Sequence, residues 1–335
     1  MLCLGIESTA HTLGIGIANE QDGKISVLSN ARDLYKPQNE GIIPRKAADH
    51  HGEVYGKILH DALTAAHVSL SDVGLFSFSQ GPGIGQCLRT GCAGARFLSS
   101  KYKKPVLGIN HCQAHLEVSR CMLCMESPLF VYISGGNTQI IIDNRAAKKT
   151  SGAKAKIPKY SILGETLDIG IGNLFDSFAR NLKLEYAHGS VVAKLASGGK
   201  YIELPYTVKG MNFAFTGLLT AASKKIGQES NEDLCHSVMH TAFAEICEAS
   251  ERALCLTGKK EVLACGGVAQ NAELQKMLSQ MCEEHGARFG VAANEYNADN
   301  GAMIAYTALL EQKRGARMKL EDCKIRQDWR IDEIF

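Results

Sequence analysis

The sequence predicts a duplicated α/β fold of two lobes with a central cleft, and three observations carry that expectation. Two stretches repeat one layout of apolar run, short polar turn and second apolar run. In the first half these are residues 2–6, the turn Glu7–Ser8–Thr9–Ala10–His11, and residues 12–18; in the second they are residues 129–134, Gly135–Gly136–Asn137, and residues 138–143. After each hairpin, short runs of strand period alternate with longer segments of helical period, as β-α units do. The length of 335 residues also exceeds what one core usually holds. The expected division is 1–126 with 297–335 as the N-terminal lobe, to which the last helix returns, and 127–296 as the second lobe.

A third strand over residues 25–30 follows the first hairpin. Past Pro44, the residues Val54, Ile58, Leu59, Leu63 and Ala66 share a helical face, with the proline near the start, where its missing N–H costs nothing. A strand at 75–79 runs into Gln80–Gly81–Pro82–Gly83–Ile84–Gly85 and then a helix. A strand at 106–109 delivers the chain to a helix bearing His111. In the second half a strand at 160–164 is followed by helices at 169–182 and 234–256. A strand at 261–265 ends in Gly266–Gly267, a helix carries Asn271, and a strand at 288–292 precedes the last helix, from near Asn300.

Hydrophobic residues at 45% and charged residues at 21% describe an ordinary globular chain, and a formal net charge of +2 excludes a global nucleic-acid signature. Any such surface is local. The twelve cysteines are scattered through apolar segments, among them Cys3, Cys87, Cys92, Cys235, Cys247 and Cys265, which fits packed thiols in a reducing compartment. Cys121 and Cys124 form one C-x-x-C with no second pair and read as structural. No apolar run spans a membrane and the start has no basic region, so a cytoplasmic or nuclear location without signal or transit peptide is expected.

His111 and His115 stand four apart, so on a helix both imidazoles project from one face and together can hold one metal ion. Ordinary helices carry this spacing too. The hairpin turns are built from small residues, Ser8 and Thr9 in the first and Ser134, Gly135, Gly136, Asn137 and Thr138 in the second, which lets backbone N–H groups approach a phosphate. Each turn taken singly is equally a tight β-turn. His11 either orients phosphate or stabilises its turn. Gly266–Gly267–Val268–Ala269–Gln270–Asn271 is a third such loop, where Asn271 can donate and accept toward a nucleoside. Gly81–Pro82–Gly83–Ile84–Gly85 lacks a Walker lysine and reads as a structural turn.

Motifs in order along nearly the whole chain resemble the universal tRNA threonylcarbamoyladenosine synthases, in particular the archaeal and eukaryotic branch that works in the KEOPS complex. They are Gly5–Ile6–Glu7 with Thr9–Ala10–His11–Thr12, Ser79–Gln80–Gly81–Pro82–Gly83, Asn110–His111–Cys112 with His115, and Tyr132 with Ser134–Gly135–Gly136–Asn137–Thr138–Gln139. They continue with Gly164–Glu165–Thr166–Leu167–Asp168–Ile169, Leu204–Pro205–Tyr206, Val208–Lys209–Gly210–Met211, Gly266–Gly267–Val268 and Asp299–Asn300–Gly301–Ala302–Met303–Ile304–Ala305.

The resemblance implies an actin-like, sugar kinase and heat-shock ATPase (ASKHA) fold. It implies transfer of a threonylcarbamoyl group from threonylcarbamoyl-AMP to N6 of adenine 37 in tRNAs that read A-starting codons. By position it makes His111, His115 and Asp299 metal ligands with Tyr132 close by. Tyr132, Ile133, Ser134, Gly135, Gly136, Asp176, Gly189 and Asn271 become the substrate and nucleotide positions. The expected cofactor is one divalent ion per subunit: iron, zinc or manganese. The expected partners are tRNA, the adenylate and the enzyme that makes it, and KEOPS subunits including a small protein kinase-like ATPase and a dimerising subunit. Two departures stand out: Ala193 replaces a glutamate that bonds the ribose, and the link from Asp143 to Tyr160 is longer than usual.

The exocyclic amine of adenine is a poor nucleophile, so the acyl donor must be activated and held in line with it. A cation held by two imidazoles and a carboxylate can neutralise phosphate charge there. Glu7, Glu165 and Asp168 are the candidate general bases, each equally suited to capping a helix or binding a backbone amide. No serine or cysteine shows a base partner, so direct transfer without a covalent enzyme intermediate is expected. Arg145, Lys148, Lys149, Lys154, Lys156 and Lys159 form an acid-free segment, either a tRNA phosphate contact or a solvated linker.

Three rival readings differ in chemistry. A zinc protease lacks its base, since Cys112 follows the first histidine and Glu117 lies beyond the second. A kinase or chaperone ATPase of the same fold has no use for two imidazoles. A non-catalytic scaffold is left open by Ala193.

Overall fold

Leu4, Ile6, Leu13, Ile15 and Ile17 alternate along the first two strands with Gly5, Gly14 and Gly16, and the two sets meet different partners. Alternation of this kind places the sets on opposite faces of a sheet. In the computed structural model, which describes residues 1–36, 42–145, 157–184 and 187–335, these strands are β1 (Leu2–Glu7) and β2 (Thr12–Gln21). The chain forms two compact units, Met1–Val118 with Ala298–Ile331, and Ser119–Asn297 with Asp332–Phe335.

In the first unit β3 (Lys24–Leu34), β4 (Val73–Gly81) and β5 (Val106–Asn110) complete a sheet of order β3-β2-β1-β4-β5, antiparallel on the hairpin side and parallel from β1 to β5. The apolar set packs with Phe76, Phe78, Ile58 and Ala62 of α1 (Pro44–Ala66), and Ala95 and Leu98 of α2 (Gly85–Tyr102). Each large side chain buried here contributes about 1.5–3 kcal/mol.

The glycine face receives the last long helix, Gly301–Lys313, whose residues 301–309 are all buried. A Cβ on Gly14 would lie 2.7 Å from the nitrogen of Gly301, and one on Gly16 would lie 2.6 Å from Cα of Ala302. Helix and sheet therefore touch backbone to backbone. This is the reason glycine recurs at every second position.

The second unit repeats the topology. Strands β6 (Leu129–Ile133), β7 (Thr138–Asp143), β8 (Tyr160–Glu165), β11 (Glu261–Cys265) and β12 (Arg288–Val291) lie in the order β12-β11-β6-β7-β8, again an antiparallel hairpin side and a parallel side. Its core joins the inner faces of β6 and β11 to α4 (Ile171–Asn181) and α7 (Asn231–Thr257). Ser230 caps α7, its hydroxyl accepting from the Asp233 N–H at 3.1 Å, and Gly258 ends it in a left-handed conformation.

Several elements differ from the sequence expectation. The strand β9 (Val208–Lys209) pairs with β10 (Asn212–Phe213), and the helices α5 (Gly189–Ala196) and α6 (Thr216–Lys224) stand where none was read. They are two to nine residues long, too short for a period to declare itself. Asn271 is not within a helix but caps α8 (Ala272–Glu284), its Oδ1 accepting from Glu273 and Leu274. No described helix is long and apolar enough to cross a membrane.

Candidate metal centre

The turn at the carboxyl end of the parallel strand β5 and the start of the helix Gly301–Lys313 build the site. β5 ends at Asn110, whose Oδ1 accepts the Gln113 N–H at 3.1 Å and so caps α3 (His111–Met122), while its Nδ2 donates to the Trp329 carbonyl at 3.1 Å. The cap puts His111 in the first turn of α3, and His115 follows one turn later. Asn300 caps the helix Gly301–Lys313 in the same way, accepting from Met303 at 2.9 Å, and so fixes Asp299 immediately before it.

One carboxylate oxygen of Asp299 lies 3.3 Å from Nε2 of His115 and 3.6 Å from Nε2 of His111. The three ligand atoms lie within 4.8 Å of one another, and no other such His/Cys/Asp/Glu group occurs among the described residues. Ligands about 2.0–2.2 Å from one tetrahedral ion stand roughly 3–3.5 Å apart, so this donor set fits a metal.

Glu7, at the end of β1, completes the surroundings. Its carboxylate accepts from Nδ1 of His111 at 2.9 Å and from the Thr9 N–H at 2.6 Å. A histidine that donates from Nδ1 keeps its Nε2 lone pair for a cation. Burial disfavours the His111 imidazolium, but the Glu7 and Asp299 charges outweigh it and raise the pKa to about 9. Burial lowers the pKa of His115. Asp299 stays ionised against its own burial because His111 and His115 hold it well below the ordinary carboxylate range, and the His11 charge adds to this.

The three expected bases resolve differently. Glu7 was expected at a loop edge facing the cleft, but it is fully buried and serves His111. Asp168 accepts from the N–H groups of Ile169, Phe215 and Thr216 and thereby anchors the start of α6. Glu165 accepts from the Gln139 side chain at 3.0 Å. Glu117 is buried, with Arg314 at 3.6 Å, and takes no part in the histidine group.

In the candidate phosphate loops several backbone amides have partners within the protein. Ser8 donates its N–H to the Ser79 hydroxyl at 3.0 Å and Thr9 donates to Glu7, so neither amide is left for an anion. Asn137 donates its N–H to the Ser134 hydroxyl at 3.1 Å and accepts from the Ser134 N–H, closing the second turn. Gly135 and Gly136 have open space where a side chain would stand. Ile133 and Tyr132 are buried in β6 of the second unit. Asp176 and Gly189 are brought together, but by a 2.9 Å bond from the Gly189 N–H to the Asp176 carboxylate, so that amide too is engaged. Gly81 is structural as read: a Cβ there would collide with the carbonyl of Arg326.

Of the basic segment, Lys148, Lys149, Lys154 and Lys156 lie outside the described residues. Arg145 pairs with Asp143 at 2.7 Å and Lys159 is buried over the Tyr160 ring, so the two described ends are held by the protein itself.

The doubled sheet topology with a two-histidine, one-carboxylate centre defines an ASKHA-type α/β protein with a site able to hold a metal ion. The fold is shared with HypF of Thermococcus kodakarensis, with a TM-score of 0.62 at 15% identity over 97% of this chain and 49% of that one. A family model described as "TsaD: tRNA N6-adenosine threonylcarbamoyltransferase" matches residues 25–306, and the chain belongs to that family. It is 46% identical over 337 residues to a tRNA N6-adenosine threonylcarbamoyltransferase of Thermococcus kodakarensis, covering 100% of this chain and 98% of that protein. It is 45% identical over 336 residues to a Methanocaldococcus jannaschii protein named "Probable bifunctional tRNA threonylcarbamoyladenosine biosynthesis protein", covering 100% of this chain and 60% of that one.

Proposed function

We propose that this chain transfers the threonylcarbamoyl group from threonylcarbamoyl-AMP to N6 of adenine 37 in tRNAs reading A-starting codons, with one divalent ion held by His111, His115 and Asp299. The observation that carries the reading is the convergence of those three side chains, His115 and Asp299 lying 184 residues apart in sequence, in a chain of this family. A bound ion supplies Lewis-acid charge for the donor's phosphate. The chain's own residues do the rest. Glu7 orients His111, the two helix caps fix the spacing of the ligands, and buried surroundings strengthen every charge interaction within the group. Nitrogen and oxygen donors suit iron, zinc or manganese.

The donor nucleotide is assigned to Tyr132, Ile133, Ser134, Gly135, Gly136, Asp176, Gly189 and Asn271. Open space over Gly135 and Gly136 supports backbone contact with the donor. Asn271 spends Oδ1 on its helix and keeps its NH2 group to donate. At Ala193, on α5 one turn after Gly189, there is no side-chain acceptor for a ribose. The KEOPS partners, a kinase-like ATPase and a dimerising subunit, belong to this reading; the bifunctional relative supports linkage to a second activity.

The test is reconstitution. The chain is incubated with threonylcarbamoyl-adenylate and unmodified tRNA, with and without the partner subunits, and digested tRNA is searched for the modified nucleoside. Its formation, and its loss in Asp299→Ala, are expected. Release of threonine without tRNA modification in every combination rejects the reading.

A further inference from the structure

Glu251 and Cys255 stand one turn apart on α7, and His285 ends α8 beside them. The Nε2 atom of His285 lies 2.6 Å from Oε1 of Glu251, while Nδ1 lies 3.9 Å from the Cys255 sulfur. A ring that donates from Nε2 to a carboxylate turns its Nδ1 lone pair toward the thiol. The order thiol, imidazole, carboxylate is the arrangement that activates a nucleophile. The backbone N–H of His285, bonded to the Cys282 carbonyl at 3.2 Å, holds the ring's base in place.

Access is direct. Cys255 is exposed, and the His285 and Glu251 side chains are 32% and 43% exposed. The ring's two nitrogens face different partners, so the trio does not converge on one point as metal ligands must. Nearby Cys247 and Cys282 are instead held as neutral thiols by burial, which pushes them up to about 12 and about 11. Cys121 and Cys124 are exposed too, with no histidine in hydrogen-bond reach among the described residues.

We propose that Cys255 is a nucleophilic thiol, with His285 as its base and Glu251 as the positioning residue, that exchanges with small disulfides. The thiol proton passes to Nδ1 of His285 and the thiolate attacks one sulfur of RS–SR. A new S–S bond forms at Cys255 as the reagent's S–S bond breaks, and the departing RS⁻ takes the proton from the imidazolium and leaves as RSH. The disulfide is the only oxidant. Thirty residues separate Cys255 from His285, which is why no base partner was evident from spacing alone.

The full chain is treated with oxidised glutathione, quenched over time, and mapped by peptide mass spectrometry between pH 6 and 9. Cys255 is expected to react at least tenfold faster than Cys121 and Cys124 at pH 7, with a rate that climbs less steeply with pH than theirs. His285→Gln should bring it down to the Cys121 rate and make it climb about tenfold per pH unit, with Cys121 and Cys124 unchanged; Glu251→Gln should fall between. Equal native rates at the three cysteines, or an unaltered profile in His285→Gln, overturn the proposal. Should His285→Gln unfold, seen as new reactivity at buried Cys282, the native profile decides: a rate for Cys255 that climbs like that of Cys121 overturns it.

Discussion

The Glu7 carboxylate stands 2.9 Å from Nδ1 of His111, while Nε2 of the same ring faces Asp299 at 3.6 Å. One buried acid thus sets the ring orientation and its proton affinity together. In the metal-free protein the fold favours the imidazolium, so that contribution to stability is complete below pH 6.5 and lost as pH rises through about 9. A cation needs the neutral ring. Apparent metal affinity should rise about tenfold per pH unit toward pH 9 and then level. Calorimetric titration with zinc at several pH values reads this slope, and Glu7→Gln should flatten it.

Asp299→Ala should cut zinc affinity at least tenfold while leaving the melting temperature within a few degrees, because the cap of the following helix is Asn300. Paired metal titration and thermal unfolding separate the two effects. A large fall in melting temperature would make Asp299 a structural residue instead.

Gly5→Ala tests the backbone contact beneath the site. The added methyl would lie 2.5 Å from the Gly301 carbonyl oxygen, so the helix must shift or the sheet distort. Overpacking of this kind costs about 1–3 kcal/mol. Since Asp299 rides at the head of that helix, denaturant unfolding should show the loss and metal binding should weaken with it.

Glu245, buried on α7, accepts from the Thr207 N–H at 2.8 Å, but its second oxygen has no hydrogen-bond partner among the described residues. Burial pushes its pKa from 4.5 up to about 7, helped by the Asp168 and Glu248 charges. The neutral form is the one the fold accepts, so stability should decline as pH rises from 4.5 through about 7. Glu245→Gln should stabilise by about 2 kcal/mol at pH 8 and by little at pH 5, allowing for partial solvation. Urea unfolding at the two pH values checks it.

Local pattern made the doubled hairpins and the histidine helix legible, because each is encoded in fewer than about twenty contiguous residues. Asp299 is another matter. It lies far from His115 in sequence, and only the likeness to a family suggested it. Glu7 was seen as an acid at a strand end, yet its partner across 104 residues is a tertiary fact. The same holds for Asp168, whose cap to α6 depends on a helix too short to read, and for Ser8 and Thr9, whose amides are claimed by side chains that no turn composition discloses.

The first unit draws on both ends of the chain, residues 1–118 and 298–331. During translation the helix that covers the glycine face of its sheet is made only after residues 119–297. A ribosome paused before residue 299 therefore holds a nascent chain with both histidines and no third ligand, so the three donors can meet only after residue 299 has been made.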